Sequence, residues 1–167
     1  MDILWAPWRM KYIEYASIEK PNECFICEAV QQGVGEEKLT LYVGEHGIVL
    51  MNLYPYNTGH LLIAPKRHVG NLSGLSTEEL FALAFLLKSS VQVLKETFRP
   101  DGFNVGLNLG RVAGAGLEDH VHIHVVPRWN GDTNFMPVIA NTKVVPEALK
   151  DTYRKIMKRA DLFSEKL

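Results

Sequence analysis

Short apolar runs bounded by turn residues, together with two runs in which hydrophobic and polar positions alternate with period two, predict β-strands between residues 39 and 127. "LTLYVG" and "GIVLMN" read as two strands parted by "EH", and "GHLLIAP" as a third. Between the last two, "LYPYNTG" carries turn chemistry in Pro55, Asn57 and Gly59. The pattern then changes. In "LSTEELFALAFLLKSSVQVLKETF" the residues Leu80, Leu83, Leu87, Val91 and Leu94 recur at helical spacing. Ser76 is a candidate N-cap, with Glu79 three residues on as its capping-box partner. "FNVGLNLG" and "HVHIHVVP" alternate with period two and read as adjacent strands joined by "RVAGAGLED". A last helix is expected through "EALKDTYRKIMKRA", with Pro146 suited to its first turn. Strands in hairpin-like succession with helices inserted predict an α+β domain, an antiparallel sheet of about five strands with helices on one face. The 167 residues suit one domain: an arm over 1–38, a core over 39–130, and a segment over 131–167 with the final helix.

The strand pattern makes one stretch chemically unusual. In "DHVHIHVVPRW", His120, His122 and His124 occupy every second position, about 6.6 Å apart on one face of a strand, while Val121, Ile123 and Val125 face the core. A lone histidine is more often a satisfied core residue than a functional one; three in strict alternation reverse that expectation. Two chemistries could use the row. One is metal ligation, since neutral imidazole is the commonest protein ligand. The other is nucleophilic attack on phosphorus, with neighbouring rings holding the phosphate oxygens.

Composition narrows the choice little, but it excludes some partners. With 18 basic against 19 acidic residues and a net charge of −1, there is no electrostatic footprint for a long nucleic acid or an anionic membrane. The start "MDILWAPWRM" lacks the basic and apolar regions of a signal peptide, and "LFALAFLL" is too short to span a bilayer. A cytoplasmic protein is expected. In that reducing setting the only cysteines, Cys24 and Cys27 of "CFIC", read as a metal clasp or a redox pair rather than a disulfide.

The row "HVHIHVVP" resembles the H-x-H-x-H signature of the histidine-triad (HIT) family of nucleotide hydrolases and transferases. The likeness extends to "CFIC", to "VLMNLYPYNTGHLLIAPKRHV" and to "GFNVGLNLG" with the "AGAG" that follows. "LWAPWRM", "HVVPRW" and "GDTNFMPVIA" resemble the branch that cleaves diadenosine polyphosphates, phosphorylases included. The resemblance implies that His122 is the nucleophile and forms a nucleotidyl-histidine intermediate, which water or inorganic phosphate then resolves. It implies that His124 touches the phosphate, that Asn52 binds ribose hydroxyls, and that Asn108 with Gly114 and Gly116 approaches phosphate oxygens. Each has a plainer alternative: Asn52 capping a turn, and the glycines closing a hairpin loop. By the same likeness Cys24, Cys27, His68 and His120 are zinc ligands, His60 supports the strand, and members pair as homodimers that continue one sheet. The chain departs from the pattern where many relatives carry Gln followed by Ser or Thr. It has Gly116 and Leu117 there, so backbone N–H groups are expected to serve instead. The competing function is a zinc-ordered nucleotide-binding module with little catalysis, which would have no use for an unligated imidazole.

Overall fold

The computed structural model describes residues 24–135, 139–140 and 145–166. The aromatic arm "LWAPWRM" and part of "GDTNFMPVIA" lie outside the described residues. In chain order the elements are α1 (Phe25–Gln32), β1 (Thr40–Val43), β2 (Gly47–Met51), β3 (Leu61–Pro65), α2 (Thr77–Phe98), β4 (Gly102–Leu107), β5 (Ile123–Arg128) and α3 (Leu149–Met157). The strands form one antiparallel sheet in the order β1-β2-β3-β5-β4, as the strand pattern predicts. No helix among the described residues is long and apolar enough to cross a membrane.

β2 and β3 are buried along their whole length because their two alternating sets serve two different cores. Val49, Met51, Leu61 and Ile63 meet Leu83, Leu86, Val93 and Leu94 of α2 and Ile156 of α3. Ile48, Leu50, Leu62 and Ala64 meet Ile26 and Ala29 of α1. The expected placement of helices on one face is therefore corrected: α1 covers part of the other. Eight residues make barely two turns, too few for periodicity to reveal α1 in the sequence.

The long helix begins as expected. Ser76 Oγ accepts from the Glu79 N–H at 3.2 Å, and Glu79 Oε2 accepts from the Ser76 N–H at 2.8 Å. Its buried stripe is rotated from the expected leucine row, however. Leu80 is exposed, and Ala82, Ser89 and Ser90 are buried instead. Ser89 meets the C-terminal segment, its Oγ accepting from the Ser164 N–H at 3.4 Å. The final helix starts at Leu149 rather than at Pro146, because Ala148 is still extended (ψ 141°). Glu147 stays outside the helix and accepts from Thr152 Oγ1 at 2.7 Å. Tyr153 then ties α3 to the sheet edge, donating to the Thr40 carbonyl at 3.1 Å.

Glu79 has a second partner. Arg67 Nε and Nη2 donate to its two oxygens at 2.9 and 2.8 Å. That guanidinium holds the Glu79 carboxyl below the usual carboxylate range, against the opposing effect of burial. A depressed folded-state pKa contributes stability above the ordinary value of about 4.3, lost as pH falls through the folded value. The melting-temperature advantage of the wild type over Glu79→Gln is therefore expected to be constant near neutrality and to shrink below about pH 4. A difference independent of pH would show that the carboxylate charge contributes nothing.

Candidate active site and metal cluster

Strand parity decides which face carries the chemistry. Leu62 pairs directly with His124 and with Leu50, so all three share the α1 face. Pairing continues past β2 through the Asn52 N–H, which donates to the His60 carbonyl at 2.9 Å. Two residues from Leu50 and Leu62 respectively, Asn52 and His60 stand on that same face.

The histidine row divides. Regular β5 begins only at Ile123, so of the three histidines only His124 lies within it, which corrects the strand expected from residue 120. The lead-in is held instead by the Val121 N–H, which donates to the Val69 carbonyl at 2.8 Å. His120, fully buried, turns toward the cysteines, while the rings of His122 and His124 meet edge to face with centroids 5.0 Å apart.

At the buried end, Cys24 is the N-cap of α1 and Cys27 lies in its first turn. This spacing brings both sulfurs to the helix N-terminus. Cys24 Sγ lies 3.2 Å from His120 Nδ1, and Cys27 Sγ lies 3.6 Å from the same atom and 3.3 Å from His68 Nδ1. All four donor atoms fall within 4.8 Å of one another. A tetrahedral zinc ion with Zn–S near 2.3 Å and Zn–N near 2.0–2.1 Å needs S···N separations of about 3.6 Å, so the cluster fits such an ion closely. His120 Nε2–H donates to the Pro65 carbonyl at 2.8 Å, which leaves Nδ1 as the lone-pair donor. Burial holds the His120 imidazole below its ordinary pKa and hence neutral, as a ligand must be. Burial and the adjacent Cys24 push the Cys27 thiol up to about 11, the reverse of what a redox-active C-x-x-C pair needs.

Beside the cluster, His122 is 8% exposed, and its Nδ1–H donates to the His120 carbonyl two residues back at 2.8 Å. The tautomer is thereby fixed with the lone pair on Nε2. Burial also holds this ring below the ordinary imidazole pKa, against the opposing effect of that hydrogen bond. A second chain fixes His124. The Tyr56 N–H donates to His60 Nδ1 at 3.1 Å, so His60 carries its proton on Nε2 and donates it to His124 Nδ1 at 3.0 Å. Neutral His124 then bears its own proton on Nε2. Two adjacent imidazoles thus present opposite characters, one a lone pair and the other a donor. The sequence offered a signal for this role of His60: a fully buried histidine in an otherwise apolar strand run needs a polar partner.

The remaining expected site residues are placed as follows. Asn52 caps its turn, its Oδ1 accepting from the Tyr54 N–H at 2.9 Å, and its amide nitrogen lies 3.3 Å from His60 Nδ1. Asn108 Nδ2 donates to the Gly114 carbonyl at 3.3 Å, closing the loop before the triad. Gly114 sits at φ 90°, a conformation that favours glycine, and Gly116 lies in an exposed bend.

Sequence reasoning missed Gly70. A Cβ there would meet the Glu118 carbonyl at 2.8 Å and the Asp119 Cα at 3.1 Å, so the His68 loop and the chain entering His120 lie backbone to backbone. Gly70→Ala is expected to displace that entry and to lower turnover at least about tenfold, since small misplacements are costly at a catalytic centre. Steady-state kinetics check this; wild-type turnover would show that the contact yields without moving the histidines.

The HIT domain model matches residues 35–131. The chain belongs to the HIT family. The match begins after the cysteine pair, so Cys24 and Cys27 lie outside the matched residues. This HIT protein is 42% identical over 156 residues to AP-4-A phosphorylase of Mycobacterium tuberculosis, covering 90% of this chain and 80% of that one. It is 37% identical over 91 residues to bis(5'-adenosyl)-triphosphatase of Dictyostelium discoideum, covering 54% and 60%. In fold it resembles a Zn-bound histidine triad family protein from Mycobacterium smegmatis, with a TM-score of 0.66 and 24% identity, covering 83% and 94%.

Proposed function

We propose that this HIT protein cleaves dinucleoside polyphosphates such as diadenosine tetraphosphate, with His122 as nucleophile and inorganic phosphate as acceptor. The observation that carries the reading is the hydrogen bond from His122 Nδ1–H to the His120 carbonyl, which leaves Nε2 an unprotonated nitrogen in a buried ring. Nε2 attacks the α-phosphorus; the bridging P–O bond breaks, and its electron pair leaves with the remaining nucleotide. His124, with its proton on Nε2, donates a hydrogen bond to the phosphate oxygens on which charge gathers. Phosphate then attacks the nucleotidyl-histidine and frees His122, giving a nucleoside diphosphate. Splitting one displacement into two lets each meet an accessible barrier. Asn52 serves the ribose, and Asn108 with Gly114 and Gly116 the phosphate chain. The relatives named for adenosine phosphate chemistry support the substrate class, and the greater extent of the phosphorylase match favours phosphate over water.

Cys24, Cys27, His68 and His120 would hold a zinc ion, which in a closed four-ligand site supplies a cross-link between α1 and the catalytic segment. An exposed edge at β4 supports pairing as a homodimer. Val105 and Leu107 lie exposed there, a surface that pairing with a second copy would cover.

The deciding experiment incubates diadenosine tetraphosphate with the protein, with and without inorganic phosphate. ADP and ATP are expected with phosphate, and little turnover without it. AMP and ATP in both arms would make the protein a hydrolase; no cleavage in either would end the proposal.

A further inference from the structure

The two histidines of the metal cluster are held differently. His120 is buried and has its Nε2–H on the Pro65 carbonyl. His68 is exposed, and among the described residues no carbonyl or carboxylate takes its second ring nitrogen. A metal-ligating imidazole usually relies on such a partner for its orientation. His68 must draw its orientation from the backbone that carries it.

That backbone, residues 65–70, is held at Pro65, Lys66 and Val69. Besides the Pro65 bond to His120, the Lys66 N–H donates to the His46 carbonyl at 2.7 Å and the Val69 carbonyl accepts from Val121. The one side-chain anchor next to His68 is Arg67. Its Nε and Nη2 grip both oxygens of Glu79, and Nη2 also donates to the Gly74 carbonyl at 2.7 Å. A capping box needs only the bond from Glu79 to the Ser76 N–H. The Glu79 carboxylate, with 8% side-chain exposure, has instead become a shared post for the helix start and the His68 loop.

We propose that Glu79 is a positioning residue for the metal cluster, acting through the planar fork of Arg67 to hold His68 against Cys27. This rests on the cluster binding zinc, and it makes the start of α2 part of the metal site's outer support. A point charge would not substitute, because the two-bond fork fixes direction as well as distance.

The test is zinc affinity by chelator competition on the full chain, with melting temperature read alongside. Glu79→Gln keeps a residue competent for the capping box but loses the charged fork. It is expected to weaken zinc binding about tenfold, the low end for outer partners of metal ligands. Arg67→Gln is expected to do the same, and the double variant to be no weaker than either single one. Ser76→Ala removes the cap alone; it is expected to lower the melting temperature and leave zinc affinity unchanged. Wild-type affinity in Glu79→Gln overturns the proposal, as does additivity in the double variant or an equal loss in Ser76→Ala. Should Glu79→Gln fail to fold, Arg67→Gln, whose capping box is intact, decides by the same criterion. A wild type that takes up no zinc overturns both this and the metal reading; one zinc per chain with unaltered variants overturns this alone.

Discussion

His122→Ala is expected to reduce turnover by about 10⁴-fold or more, the scale seen when a catalytic nucleophile is removed. Nucleotide binding should change far less. The side chain contributes one backbone hydrogen bond and a ring contact with His124, neither of which builds the sheet. The β3–β5 pairing that holds the site runs through Leu61, Leu62 and Ile63 against Val125, His124 and Ile123, none of which is altered. Single-turnover kinetics with equilibrium nucleotide binding separates the two effects. Turnover within about tenfold of wild type would exclude a covalent role for His122. A parallel loss of binding and fold would mean that the ring is structural. His124→Ala tests the division of labour. It removes the donor and leaves the nucleophile, so a smaller loss is expected, about 10²–10³-fold, as for one donor to a developing anion.

How far such a site is legible in the sequence depends on the range of the interactions that build it. β4 and β5 follow from period-two alternation, and β1 to β3 from short apolar runs bounded by turn residues, all of them patterns local to the chain. The capping box at Ser76 and Glu79 is equally local. The division of the histidines is not. His120 turns to Cys24 and Cys27, 96 and 93 residues away, and the chain around it is held by Val69. No local pattern records those contacts: alternation alone gives one even row, and it is the family resemblance that assigns His120 to the cysteines. Asn52 illustrates the converse. Its place before a turn matched a ribose-binding pattern and a capping role equally, and the structure displays the cap. Parity explains why it also meets His60, through strand pairing that the sequence pattern did predict. The α2 stripe follows the leucine row in part: Leu83 and Leu94 are buried and Leu87 and Val91 half-buried against the first core, but Leu80 is exposed and Ala82, Ser89 and Ser90 are buried as well.

Removing the metal should have the second-largest effect, and on stability rather than on chemistry alone. One zinc per chain is expected on elemental analysis, released by a strong chelator. A ligand present at about 1,000 times its dissociation constant stabilises the folded state by about 4 kcal/mol. For a domain of this size each kcal/mol shifts the melting temperature by about 2–4 °C, so a fall of roughly 8–16 °C is expected on stripping. The loss should be uneven. α1 adds buried Ile26 and Ala29 and half-buried Val30 to the second core, so without a metal its hold on the sheet rests on that small cluster. The first core, with α2 and α3, keeps its apolar contacts. Hydrogen exchange should therefore rise first in residues 24–32 and in the segment 66–70, while β2 and β3 stay protected. Cys27→Ser should reproduce the stripped state without a chelator, since a hydroxyl is a poor substitute for thiolate toward zinc. If the stripped protein keeps its melting temperature and exchange pattern, the four residues converge without serving a metal.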